Sequence, residues 1–297
     1  MLHGIVTFAF LAQVIRIAVP YALAALGGAV TERSGQIDLA LEAKLLFGAF
    51  TAAAVAHATG SAYVGLLGGV AAGMIVAALQ TWCALRLGAD QVIVGVALNL
   101  LALGGTRFLL QLIYGEGANS PLCPGLPGSA LANPLVWIAG IAAIAVPIAL
   151  TRTRWGLRLR AAGDRPDALV AVGVSPLRAR LAAALVGGAL AGAGGAQLSL
   201  AVRGFSADMS SGRGYIALAM VILSGWRPGV AALACVGVAL AEAVNIKLQV
   251  LHISLFGVEL IDHAILELAP LLPYILTLAV LVIAGGHRKP PEALGKI

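Results

Sequence analysis

Charged side chains are scarce in this chain: 11 % of its 297 residues are Asp, Glu, Lys or Arg, against about 25 % in soluble domains. So little charge cannot cover a 60 % apolar composition in water, which excludes a soluble globular fold. Cysteine is rarer still. Cys83, Cys123 and Cys235 stand alone, without CxxC or paired-histidine spacing, so neither a disulfide framework nor a metal site is expected. The four lysines lie outside any GxxxxGK[ST] context, and HExxH, GxSxG and dinucleotide fingerprints do not occur. This chain is therefore expected to bind no nucleotide cofactor and to carry no hydrolytic centre; if ATP powers it, another chain binds the ATP. No basic helix interleaved with aromatics occurs, so the formal charge of +6 does not indicate a nucleic-acid polymer as partner. The first apolar run lacks a basic n-region, so a cleavable signal is not expected.

Long apolar runs are abundant, and the mean hydropathy is +0.98. Spans need ~20 apolar residues, and such runs cover roughly 5–30, 39–57, 62–85, 91–113, 134–150, 181–202, 229–248 and 264–285, with a shorter one at 214–225. The short run covers about half the hydrocarbon core at ~1.5 Å per residue and reads as a half-helix. The expected fold is an all-α polytopic membrane protein of about eight or nine helical segments, forming a single domain over residues 1–297. Arg16 interrupts the first run, so residues 1–15 read as a tilted entry helix before a span that starts near Ile17.

Between the fifth and sixth runs lies TRTRWGLRLRAAGDRPDALVAVGVSPLRAR, residues 151–180, with seven arginines against Asp164 and Asp167. A short, strongly basic loop stays in the cytoplasm, which places 152–178 inside and, counting outward, 114–133, 203–213 and 251–263 outside. The basic tail His287-Arg288-Lys289 then falls inside, in agreement. Within the loop, Asp164 can cap a short helix, Pro166 suits its first turn, Asp167 complements its dipole and Gly173 can stop it. Leu169 and Val172 would then face water. A knob that docks a partner and a helix resting on anionic lipid headgroups both fit this pattern.

Two polar, glycine-containing breaks interrupt the oil: TERSGQID, residues 31–38, and RGFSADMSSGRG, residues 203–214. Each follows a helix rich in small residues and precedes another apolar run, and they face opposite sides. That is the signature of an inverted repeat with discontinuous helices, and such breaks point to a translocation path. Intramembrane charge usually faces a protein interior or a water-filled cavity. Asp38 and Glu42, four residues apart, share one helix face and read either as path lining for a hydroxyl-rich solute or as interface groups, Asp38 capping and Glu42 pairing with a neighbouring helix. Asn99 and Thr106 share a face two turns apart and read as solute contacts or as packing glue. Phe205, in the second break, joins Asp38, Glu42, Asn99 and Thr106 as a candidate lining residue. Glu242, Asn245 and Lys247 read as snorkelling near an outer span end. Glu259, Asp262, His263 and Glu267 read as an extracellular amphipathic helix, not a metal site.

Five segments in order carry a family likeness. GGAVTERSGQIDLALE, from Gly27 to Glu42, with the following Gly48-Ala-Phe50, resembles the ERSG segment of permease subunits of nucleoside and simple-sugar ABC importers. SGQIDL also resembles the GGIDLS of ribose-type permeases. ADQVIVGVALN, ending at Asn99, is similar to the family's ADEVIxGxALN. TRWGLRLRAAGDRPDA with Val172-Gly-Val174, SSGRGYIALA from Ser210, and LPYILT from Leu272 match further family segments. The resemblance implies a permease subunit of an ATP-driven importer of nucleosides or related nucleobase or sugar solutes, in a bacterial cytoplasmic membrane. It implies that about residues 164–173 form a coupling helix seated on an ATPase, with Gly163, Asp164, Asp167, Ala168, Leu169, Val172 and Gly173 as coupling residues. It further implies ATP and Mg on separate ATPase subunits, a second and non-identical permease, and an extracellular or periplasmic solute-binding lipoprotein. This chain resembles the shorter permease of the nucleoside systems. It departs from them at Asp38, usually Asn, at Ala43-Lys44, which replace a Gly-containing step, and at Asp164, usually Glu. An ABC permease for another polar solute such as a simple sugar, and an ion-coupled secondary transporter, are the rival readings.

Overall fold

The first helix runs unbroken through both residues that threaten it. In the computed structural model, which describes residues 8–127, 132–250, 254–255, 258–259 and 290–296, α1 extends from Phe8 to Arg33 with Arg16 and Pro20 inside it. The expected division near Ile17 is therefore corrected. Pro20 falls where α1 packs tightly on its neighbours, and neighbouring helices can make good the hydrogen bond that an intramembrane proline removes. After α1 come α2 (Leu41–Thr59), α3 (Ala62–Arg86), α4 (Gln91–Tyr114), α5 (Pro134–Arg152), α6 (Arg154–Asp164), α7 (Pro166–Ala171), α8 (Pro176–Val202), α9 (Arg213–Leu223) and α10 (Pro228–Val250). Seven of these ten, all but α6, α7 and α9, are long and apolar enough to cross a membrane.

One strand pair accompanies these helices among the described residues, the two-residue antiparallel pair of β1 (Ser254–Leu255) with β2 (Val258–Glu259). The span expected at 264–285, the basic residues 287–289, and Asp262, His263 and Glu267 lie outside the described residues.

Helix ends fall where local chemistry satisfies the free backbone groups. Asp90 Oδ1 accepts the N–H groups of Val92 at 2.8 Å and Ile93 at 3.0 Å, starting α4. Asn133 and Ser175 cap α5 and α8, each followed by a proline at the first helical position. Gly60 and Gly115 end α2 and α4 in the left-handed conformation that glycine adopts without strain.

The core is organised around α8, which is packed on α1, α2 and α3. Lipid offers apolar groups no hydrophobic advantage for leaving it, so helix association inside a bilayer depends on close van der Waals contact. A Cβ at Gly187 would lie 2.6 Å from the carbonyl oxygen of Gly27, and one at Gly27 would overlap the Gly187 carbonyl in return. The same reciprocal contact joins Gly188 to Gly73. Bare backbone thus meets bare backbone on two sides of α8, and the small-residue runs read in the sequence are the surfaces that allow it.

The loops group by side as the parity count expects. Residues 118–123 pair with 203–207: Ser120 N–H donates to Phe205 O at 2.8 Å, Ala207 N–H to Ala118 O at 2.8 Å, and Cys123 N–H to Arg203 O at 2.9 Å. At the opposite end Ala293 N–H donates to Gly163 O at 2.8 Å and Gly295 N–H to Gly35 O at 3.0 Å. The start of the first break, the arginine loop and the C-terminal residues 290–296 therefore share one face, opposite the one that holds residues 118–123 and 203–207.

Candidate functional site

The two sequence breaks, which begin on opposite faces, meet at Glu42. Its Oε1 accepts from Ser210 Oγ at 2.6 Å and from Gly212 N–H at 2.8 Å, and its Oε2 accepts from Gly214 N–H at 2.7 Å. These groups form the N-terminus of α9, whose free amides and dipole favour an anion. No side chain of its own caps α9; the first turn of α2 supplies the cap instead. The loop that reaches down to α9 has Arg203, Asp208 and Ser211 at positive φ of 60°, 63° and 45°, a conformation non-glycine residues rarely hold unless their surroundings impose it.

Asn99 on α4 performs a matching task for the first break. Its Oδ1 accepts Ala43 N–H at 2.9 Å, and its Nδ2 donates to Leu39 O at 2.9 Å and to Tyr215 OH at 3.0 Å. The α2 start is thereby tied to α4 and α9 together. Other polar side chains satisfy the rest of the segment: Gln91 Oε1 accepts Ile37 N–H at 2.7 Å and Gln80 Nε2 donates to Ile37 O at 3.1 Å. Non-helical backbone at membrane depth survives only when such partners replace water.

Glu42, Asn99 and Tyr215 border a cavity of about 290 Å³ together with Asp208, Ser210 and Ser211. Of the five residues expected to line a path, Glu42 and Asn99 face this cavity. Asp38, Thr106 and Phe205 do not line it. Asp38 is fully buried and its Oδ1 pairs with Lys44 Nζ at 2.5 Å. Thr106 turns back to donate to Ala102 O at 2.7 Å within its own helix, the local bond that a hydroxyl readily makes inside a helix. Phe205 packs edge-on against Phe50, ring centroids 5.4 Å apart, and is buried. The Lys44 partner of Asp38 is within reach of sequence reasoning, as a cation six residues on that can answer the two acids; Ser210 and Tyr215 are the partners that it missed, since no local pattern connects them to Glu42 or Asn99.

Glu242 does not snorkel. Its carboxylate takes Arg213 Nη2 at 2.6 Å and Tyr21 OH at 2.8 Å, joining α10 to α9 and α1. Asn245 is buried, and Lys247 Nζ sits 4.9 Å from the Phe10 ring centre. Trp226, just past α9, donates its Nε1 to Glu32 Oε2 at 2.6 Å, while its carbonyl accepts Arg33 Nε at 2.9 Å. Both ends of α9 are therefore held by acids from elsewhere in the chain.

At the opposite end of the molecule, the arginine loop folds as two helices. Thr153 Oγ1 caps α6 by accepting Gly156 N–H at 3.0 Å, and Leu159 and Ala162 of α6 are buried. Asp164 ends α6 rather than capping α7, whose N-cap position is Arg165, with no side-chain cap. Gly173 takes the expected left-handed conformation at φ 72°. Leu169 corrects a second expectation: it is 4 % exposed and anchors α7 inward, so Val170 and Val172 form the exposed apolar knob. Asp164, Asp167 and Ala168 are also exposed, whereas Gly163 is buried where a Cβ would overlap the Arg33 carbonyl. Arg180 braces the assembly, donating to Ser34 O at 3.2 Å, Lys296 O at 3.0 Å and Ala162 O at 3.3 Å. A cavity of about 690 Å³ beside α7 is walled by Asp164, Pro166 and Leu177 and by the tail residues Glu292 and Ala293.

A polytopic helical body, an interrupted helix pair meeting at a polar-lined cavity, and a structured loop between spans fit the membrane permease class. The chain belongs to the family described as "Branched-chain amino acid transport system / permease component", which matches residues 10–284. It is 31 % identical to the guanosine ABC transporter permease protein NupQ of Bacillus subtilis over 94 % of this chain and 92 % of that one. It is 30 % identical to the nucleoside ABC transporter permease protein NupC of Lactococcus lactis, over 93 % and 92 %. A permease of Haloferax volcanii named for glucose is 34 % identical over 78 % of this chain and 75 % of its own. A metal-chelate type ABC transporter solved in an inward-facing conformation shares the fold, with a TM-score of 0.56 at 17 % identity, over 92 % of this chain and 85 % of that one. The protein is thus a multi-pass membrane permease subunit of an ABC transporter.

Proposed function

We propose that this subunit carries nucleosides, or closely related nucleobase or sugar solutes, inward across a bacterial cytoplasmic membrane by alternating access. The observation that carries this reading is the end-to-end similarity to permeases named for guanosine and nucleosides. The cavity at Glu42, Asn99 and Tyr215 is consistent with it, since hydroxyl and carboxylate groups in an otherwise apolar body suit a solute rich in hydrogen-bonding groups. Glu42 and Asn99 act there chiefly as positioning residues: the backbone, serine and tyrosine partners described above occupy their polar atoms. Separate ATPase subunits bind ATP and Mg and seat on α7 and its exposed Val170 and Val172. A second, non-identical permease completes the path, and an extracellular lipoprotein delivers the solute. ATP-driven closure of the ATPases moves α7, and Arg180 and the tail pass the motion to Gly35 and so to the α2–α9 junction.

Uptake by the reconstituted complex with its own lipoprotein tests this. ATP-dependent entry of labelled guanosine, competed by other nucleosides and not by leucine, is expected. Entry of leucine alone, or of any solute driven by an ion gradient without ATP, overturns the reading.

A further inference from the structure

A deep groove runs between α1, α5 and α10, with a volume of about 970 Å³, at the upper end of the roughly 300–1,000 Å³ typical of ligand pockets. It follows α5 from Val136 to Thr151, a rise of roughly 22 Å at ~1.5 Å per residue. Its walls are apolar, and Trp137, Ile144 and Leu233 on its rim are exposed in the membrane-spanning zone. The cytoplasmic end differs. Arg33, Arg160 and Arg227 converge there beside Thr151, and Arg160 and Arg227 each repel Arg33 electrostatically. Asp164 is the acid that acts on Arg33, so it offsets one of three clustered positive charges. Arg160 Nε is buried and has no hydrogen-bond acceptor among the described residues.

Three guanidinium groups at the cytoplasmic headgroup level, above an apolar groove open to the side, match one chemistry: a phosphate diester bearing acyl chains. A like-charge cluster beside hydrocarbon is stable only when an anion answers it, and guanidinium forks suit phosphate oxygens. A free anion would answer the cluster and leave the groove unfilled; a neutral lipid would fill the groove and leave the positive charge that Asp164 does not offset, and the Arg160 Nε, unanswered. Basic pockets between helices on the cytoplasmic side are a recognised setting for anionic headgroups. We propose that this groove binds an anionic phospholipid of the cytoplasmic leaflet, its phosphate held by Arg33, Arg160 and Arg227 and an acyl chain lying between α1, α5 and α10. The bound lipid joins α6 of the cytoplasmic loop to α1 and α10.

The test uses the assembled transporter in nanodiscs containing a photoactivatable phosphatidylglycerol or the matching phosphatidylcholine, with crosslinked peptides read by mass spectrometry. Phosphatidylglycerol is expected to label peptides of α1, α5 and α10, and phosphatidylcholine to label them far less. One arginine near a membrane surface is worth about a fivefold gain for anionic lipid, so Arg160→Gln with Arg227→Gln should weaken phosphatidylglycerol binding roughly thirtyfold. If that pair fails to assemble, Arg227→Gln alone, an exposed residue, should weaken it about fivefold. Ala143→Phe, which fills the groove, should abolish labelling while keeping the arginines. Equal labelling by both lipids, indifference to the arginine changes, displacement by inorganic phosphate, or crosslinks to another subunit in place of lipid would each overturn the proposal. None of these outcomes depends on which solute is carried.

Discussion

Glu42 on α2 accepts the backbone N–H of Gly214 at 2.7 Å across 172 residues of sequence, so that one discontinuous helix is capped by the first turn of another. The α9 half-helix depends on that single carboxylate, because its N-terminus lies inside the protein with no side-chain cap of its own. A movement of α2 is consequently a movement of α9. The link makes the two breaks one mechanical unit rather than two separate loops.

Removing the carboxylate should therefore loosen α9. Glu42→Ala leaves three buried donors without an acceptor and is expected to lower stability by about 2–4 kcal/mol. Glu42→Gln, which keeps one acceptor oxygen, should lose less. Thermal unfolding of the purified subunit in detergent, alongside solute uptake, reads both; equal stability of Glu42→Ala and wild type would show that the cap is immaterial.

Asp38 and Lys44 give a second prediction. Both side chains are fully buried and paired, so Lys44→Met or Asp38→Asn alone disrupts a buried pair. Breaking one side of such a pair costs about 3–5 kcal/mol, whereas replacing both is often close to neutral. The double variant should thus be more stable than Lys44→Met, and a double-mutant cycle measures the coupling. Additive losses would mean the pair is not energetically linked.

The exposed and buried faces of α7 should separate in their effects. Val170→Glu with Val172→Glu alters surface residues, so the protein should insert and assemble normally yet lose at least about tenfold of its ATP-driven uptake, a loss of ~1.4 kcal/mol in coupling. Leu169→Glu instead places a charge in the protein interior and should lower the amount of folded subunit. If the valine variant transports at the wild-type rate, α7 does not contact the ATPase through this knob.

Sidedness and the state of Cys123 can be read together. Asn119 and Ser206 form an antiparallel bridge, a spacing of about 4.5–5.5 Å that lies within disulfide reach. In a background lacking native cysteines, Asn119→Cys with Ser206→Cys should crosslink with an impermeant external oxidant. Burial pushes the native Cys123 thiol up from its ordinary value. The folded protein holds that proton more tightly than the unfolded chain, so its favourable contribution is full below the ordinary thiol value and is lost as pH rises from there through the raised folded value. Maleimide should accordingly label Cys123 slowly at neutral pH and faster in alkali; rapid labelling at neutral pH would contradict its burial.

The sequence by itself located, in order, the seven apolar runs that fold as α1 to α5, α8 and α10. A ~20-residue apolar run has no alternative partner but lipid or another helix, and the arginines of 152–180 cannot cross a bilayer at reasonable cost. It also located both breaks, since Gly, Ser and charge within oil have few other uses. What it could not contain was pairing at a distance. Arg16 looked like a helix boundary, yet α1 continues through it and through Pro20. Leu169 looked exposed from its place in a polar loop, and tertiary packing turned it inward. Asp38 and Glu42 share a helix face; the nearby Lys44 answers Asp38, but the α9 amide of Gly214 that takes Glu42 lies 172 residues away. A buried charge or amide is placed by whichever partner satisfies it, and those partners come from parts of the chain that local pattern does not connect.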